Sequence, residues 1–205
     1  MEYVLSSDDE YYSKRMTEFI DNECKLPRNQ WIYKIIDNDL EDTDECVFLD
    51  CAAWCLCLDK HRCARPALKP KKFIYCTLNS ACSRSGCDVR YLVVFKDTAL
   101  RTIRDLRQHH LPLLREINTR VRAWLRETQQ GCFGMYFHFL PSVFQLHLHV
   151  RDKSFSRKHV RMQPLQNVMG NLAKTSMYYK DALIMTKYCK MFQKAETHRK
   201  MDINI

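Results

Sequence analysis

The strongest constraint on the fold lies in residues 132–150, CFGMYFHFLPSVFQLHLHV. Two runs rich in aromatic and β-branched residues flank Leu140-Pro141-Ser142-Val143. Pro and Ser break the pattern, so it predicts two strands joined by a tight turn. On the second run His147 and His149 stand two apart. Side chains alternate across a strand, so both imidazoles take one face, with Gln145 preceding them on it. His138 on the first run can face them across the hairpin. Three imidazoles and an amide then converge. Imidazole titrates near neutral pH and is a competent nucleophile, so the stretch is a candidate for covalent catalysis. The same spacing also suits metal binding, or histidines that are solvated or satisfied by neighbours.

The remaining composition narrows the class. A chain of 205 residues suits one domain, or one with a small appendage. Apolar residues make up 46%, enough for a core, and four glycines and six prolines argue against a low-complexity chain. A formal charge of +9 favours anionic partners such as nucleotides and RNA. No apolar run approaches the ~20 residues of a membrane helix, so no membrane partner is expected. The start, MEYVLSSDDEYYSKR, is acidic and lacks an apolar signal region. An intracellular protein of cytoplasm or nucleus is expected. Eleven cysteines, an odd count, then read as reduced thiols. Cys51, Cys55, Cys57, Cys63, Cys76, Cys82 and Cys87 show no Cys-x₂-Cys knuckle. Buried thiols fit them better than zinc.

In chain order, Tyr11, Tyr12, Met16, Phe19 and Ile20 have partial helical spacing, which predicts a short helix or a loosely attached arm over 1–30. Residues 31–37 begin a helix with Trp31 and Ile35 on one side. Residues 46–59 read as two strands turning near Asp50. Residues 61–90 read as an exposed, basic, cysteine-rich insertion with a short strand at 73–76. A buried strand follows at 91–95. The best helix spans 105–128, with Leu114, Ile117, Val121 and Leu125 in a 3.6-residue period and Asp105 as its cap. His109 and His110 fall in its first turn, where a capping or surface role is expected. Residues 151–161 are basic, a helix-like run reaches Leu172, and a helix or strand follows at 182–193.

The segment H-F-L-P-S-x-x-Q-L-H-L-H-V resembles the signature of the scavenger mRNA-decapping enzymes of the histidine triad (HIT) superfamily. Residues 101–117, RTIRDLRQHHLPLLREI, are similar to that family's arginine-rich segment, and Trp31 to Asp37 to its cap-binding segment. The resemblance implies an α+β, HIT-like fold: an antiparallel sheet of about five strands backed by a long helix, with a C-terminal helix. It divides the chain into an arm at 1–30 and a HIT-like domain at 31–205. It also implies a homodimer acting on cap nucleotides or short capped RNA, with no cofactor or metal. His147 takes the nucleophile position, with His138 and His149 assisting. Trp31 and Glu41 take the methylguanine-binding positions. Asp59 and Lys60 fall where the family contacts base and phosphate, with the lysine out of register by one. Ser142 and Arg161 would contact phosphate, and Gln145 takes a substrate-binding position. Gln145 stands where the family has the first histidine of its triad, and Val143 where a tyrosine is common. The implied reaction is hydrolysis of the triphosphate bridge. The alternatives are a cap-binding domain without turnover, a HIT hydrolase or nucleotidyl transferase of another nucleotide, or a zinc-binding RNA protein.

Overall fold

The structure is a computed structural model that describes residues 2–5, 10–37, 47–58, 90–128, 132–152, 162–182 and 184–187. The inserted segment, with its expected strand at 73–76, lies outside these residues up to Arg90.

Strand Arg90–Phe95 explains the layering. From Tyr91 to Phe95 every residue is buried, so the run shows no polar alternation. Such a run belongs to a strand covered on both faces. Tyr91, Val93 and Phe95 enter a large core, while Leu92 and Val94 enter a smaller cluster with Ile32, Ile35, Cys55, Cys57 and Val143. In chain order the elements are β1 (Glu2–Leu5), α1 (Glu10–Cys24), α2 (Gln30–Ile36), β2 (Val47–Asp50), β3 (Trp54–Leu58), β4 (Arg90–Phe95), α3 (Leu111–Thr128), β5 (Phe133–His138), β6 (His147–Asp152), β7 (Met162–Pro164), α4 (Leu165–Lys174), α5 (Tyr178–Asp181) and β8 (Ile184–Lys187). The fold is α+β. Among the described residues its main sheet has six strands in the order β2-β3-β4-β6-β5-β7, every neighbouring pair antiparallel. β1 and β8 form a separate two-stranded sheet.

The large core lies behind the main sheet. α3 sends in Leu111, Leu114, Ile117, Val121 and Leu125 and leaves Arg115, Arg120 and Arg126 exposed. Each such aliphatic contributes about 1.5–3 kcal/mol on burial. Leu165, Val168 and Leu172 of α4 join them. The helix starts at Leu111, six residues after the expected 105. Pro112 suits a first turn, where its missing N–H costs nothing. Asp105 caps a different element, the 3₁₀ turn Ile103–Asp105: its carboxylate accepts the Arg101 and Thr102 N–H groups at 2.9 and 2.8 Å.

The front cluster is smaller. α2 lays Ile32 and Ile35 over Cys55, Cys57, Leu92 and Val94. α1 packs on the large core through Met16, Phe19, Ile20 and Cys24. The Phe19 ring meets Phe144 edge-on at 5.7 Å, the Cys24 thiol donates to the Phe144 carbonyl at 3.5 Å, and Asp21 pairs with Arg101. The connection between β5 and β6 is not the expected tight turn. It runs through 139–146, and Val143, Phe144 and Leu146 are buried in it without strand pairing to β5. Among the described residues no helix is long and apolar enough to cross a membrane.

Candidate active site

β6 is a central strand, and its alternation builds the site. Leu148 and Val150 point into the large core, so His147 and His149 point to the front. On β5, Phe133, Met135 and Phe137 fill the same core, which turns Tyr136 and His138 forward. Tyr136 lies directly opposite His149 in the register. The rings therefore meet: His138 to His149 at 4.3 Å, His147 to His149 at 5.0 Å, and Tyr136 stacked on His149 at 5.3 Å with 17° between planes. His147 and His149 are buried and His138 is half-buried. Front-facing Leu92 and Val94 of β4 lie opposite His149 and His147, so an apolar floor flanks the imidazoles.

A hydrogen bond to the main chain orients His147. Its Nδ1 lies 2.7 Å from the main-chain carbonyl of Gln145. A carbonyl only accepts, so Nδ1 carries the hydrogen, and in the neutral ring Nε2 keeps its lone pair. An imidazole held this way presents a nucleophilic or proton-accepting nitrogen.

Gln145 is placed differently. It is wholly buried, and its Nε2 donates to the carbonyls of Phe95 at 2.6 Å and Asp97 at 3.0 Å. Both N–H groups are used inside the protein. Gln145 was expected among the substrate-binding residues; its nitrogen is engaged within the fold. Ser142 is exposed on the 139–146 connection. Trp31 is half-buried on α2 and packs against the front cluster, on the sheet face that carries the histidines. Glu41, Asp59, Lys60 and Arg161 lie outside the described residues. Tyr136 was missed in the sequence. Its position two residues before His138 was the signal, since that spacing puts both on one strand face.

The described residues hold no group of three or more side chains suited to a metal ion. Burial pushes the Cys55 thiol up to about 11, so it stays protonated near neutral pH. His109 and His110 stand on a 3₁₀ turn, Gln108–His110, with rings 4.0 Å apart. His110 Nδ1 accepts the Arg107 main-chain N–H at 2.9 Å. Burial, then the neighbouring His109, holds the His110 imidazole below its ordinary value. Folding thus favours its neutral form. The unfolded chain takes up the proton first as pH falls past about 6.5, so this contribution is present above that pH and lost below it. His110→Asn is expected to flatten the decline of Tm between about pH 7.5 and 5.5. Equal slopes for the two proteins in thermal melts would refute this.

Residues 30–163 match the family described as "Scavenger mRNA decapping enzyme C-term binding". The chain belongs to this decapping-enzyme family. Among curated relatives, m7GpppX diphosphatase of Mus musculus is 30% identical over 98 residues, covering 40% of this chain and 27% of the relative. That of Bos taurus is 31% identical over 98 residues, covering 45% and 29%. The chain thus spans under a third of the length of these curated relatives. A solved structure of "Hnt3 in complex with DNA and guanosine" covers 83% of this chain and 93% of its own, at 13% identity and a TM-score of 0.40.

Proposed function

We propose that this decapping-family chain hydrolyses the 5'–5' triphosphate bridge of 7-methylguanosine cap dinucleotides or short capped oligonucleotides. The observation that carries the reading is His147, held through Nδ1 by the Gln145 carbonyl, with His149 beside it and His138 beside His149. Nε2 attacks the phosphorus next to methylguanosine. A P–N bond forms, the P–O bond to the next phosphate breaks, and the remainder leaves as a 5'-diphosphate. Water then attacks the same phosphorus, cleaves P–N and releases 7-methylguanosine monophosphate. The enzyme is regenerated, and two easier displacements replace one. His138 and His149 stabilise charge spread over the phosphoryl oxygens. Ser142 and Arg161 complete the phosphate contacts. Trp31 stacks on the cationic base, with Glu41 at its edge and Asp59 and Lys60 beside it. A homodimer remains part of the reading by resemblance.

The test is incubation with 7-methylguanosine-triphosphate-guanosine, followed by chromatography. Release of 7-methylguanosine monophosphate supports hydrolysis. Saturable binding without product supports the second reading, a cap-binding domain without turnover, which the replacement of a triad histidine by Gln145 favours. Trp31→Ala is expected to lower the preference for methylated over unmethylated guanine by about tenfold, the scale of a desolvated cation–aromatic contact. An unchanged preference would remove Trp31 from base recognition.

A further inference from the structure

Gln145 looks like a loss when set against a triad of histidines. Its surroundings show a gain. The amide nitrogen has two hydrogens, and each has a main-chain carbonyl: Phe95 O at 2.6 Å and Asp97 O at 3.0 Å. A single imidazole nitrogen carries at most one hydrogen, so a histidine there could not serve both carbonyls from one atom. The amide oxygen meets no donor among the described residues. The orientation of the amide is therefore dictated by its nitrogen.

What the amide grips is the end of β4 and the turn after it. Asp97 O also accepts the Leu100 N–H at 3.1 Å, and the Asp97 carboxylate accepts the Ala99 N–H at 2.9 Å, so the turn is itself fixed. Residue 146 is tied to the same place: Leu146 N–H donates to Leu100 O at 2.7 Å, and Phe95 N–H donates to Leu146 O at 3.1 Å. The peptide unit joining 145 to 146 thus has its N–H anchored on Leu100. On its other side the Gln145 side chain anchors the α-carbon. The carbonyl of that same peptide unit is the one that accepts the Nδ1 hydrogen of His147, at 2.7 Å.

We infer that the Gln145 side chain is a positioning residue, a two-carbonyl clamp between β4 and β6 that aims its own main-chain carbonyl at His147 and so fixes which imidazole nitrogen carries the hydrogen. The amide does not titrate, so the clamp keeps one state over the whole range in which a histidine would change charge. Its catalytic consequence rests on the nucleophile role assigned to His147. The clamp itself does not.

The experiment is nitrogen-15 NMR of the unliganded protein. In the wild type, His147 is expected with its hydrogen on Nδ1, and both side-chain N–H hydrogens of Gln145 are expected to be protected from exchange. Gln145→Met keeps length and burial and removes both donors. It is expected to shift the ratio of the Nδ1–H and Nε2–H forms of His147 by roughly fivefold toward Nε2–H. A fall in Tm with that ratio unchanged would make Gln145 merely structural and overturn the proposal. So would a wild type with Nε2–H at His147, or with freely exchanging Gln145 hydrogens, and neither observation needs a variant. If Gln145→Met does not fold, Gln145→Glu serves, since it has the same shape and at most one donor hydrogen; the same outcomes decide. A protein with the expected tautomer and clamp that leaves the cap dinucleotide intact would defeat the hydrolase reading alone.

Discussion

Replacing His147 by asparagine is expected to lower cap-dinucleotide hydrolysis by roughly 10³-fold or more, the scale seen when a nucleophile is removed. The substitution is chosen to spare the fold. His147 is buried, and its Nδ1 donates to the Gln145 carbonyl. An asparagine amide can make that donation, so Tm should barely move. What it lacks is the second ring nitrogen with its lone pair. Rates from product chromatography, set beside thermal melts, separate the two effects. A variant within tenfold of wild type would take the nucleophile role from His147 and leave the neighbouring imidazoles to be tried. His149 stands 5.0 Å from His147, and His138 stands 4.3 Å from His149 in the same row, close enough for that alternative to be real.

The largest effect on stability is expected from Phe137→Ala. Phe137 has no exposed surface and its ring centroid lies 6.0 Å from that of Phe95, in the core behind the sheet. Removing a buried phenyl leaves a cavity and costs about 3–5 kcal/mol. A domain of this size has only about 5–15 kcal/mol in total, so the urea midpoint should fall steeply. The site should suffer with it, because Phe137 sits between Tyr136 and His138, whose rings face the other way. A loss below about 1 kcal/mol would mean that the core closes over the gap, or that β5 is less tightly held than its burial implies.

The sequence carried the site's central geometry for a simple reason. Alternation in a strand is local, so His147, His149 and His138 could be put on one face from spacing alone. The strands at 47–50, 54–58 and 90–95 were legible too, as short apolar runs bounded by turn residues. The 139–146 connection was not. Val143, Phe144 and Leu146 have the composition of a strand, yet they are buried by packing and by bonds to distant groups such as Leu100 O. Periodicity cannot separate an apolar bend from an apolar strand. The start of α3 was misread because Asp105 is a good cap; it caps a preceding 3₁₀ turn, and Pro112 was the better marker. Gln145 was the least legible residue. Its partners lie 50 and 48 positions away, and no local pattern reports them.

The family match begins at residue 30, which invites trimming the chain there. The contacts of α1 argue against that cut. Phe19 and Cys24 both hold Phe144, the residue immediately before Gln145, and Asp21 holds Arg101, whose N–H is in turn held by Asp105. The helix is a splint on the outside of the bend from which β6 departs. A protein begun at residue 30 would keep every histidine and lose the part that steadies their approach, so its failure in an assay would report on the boundary rather than on the chemistry.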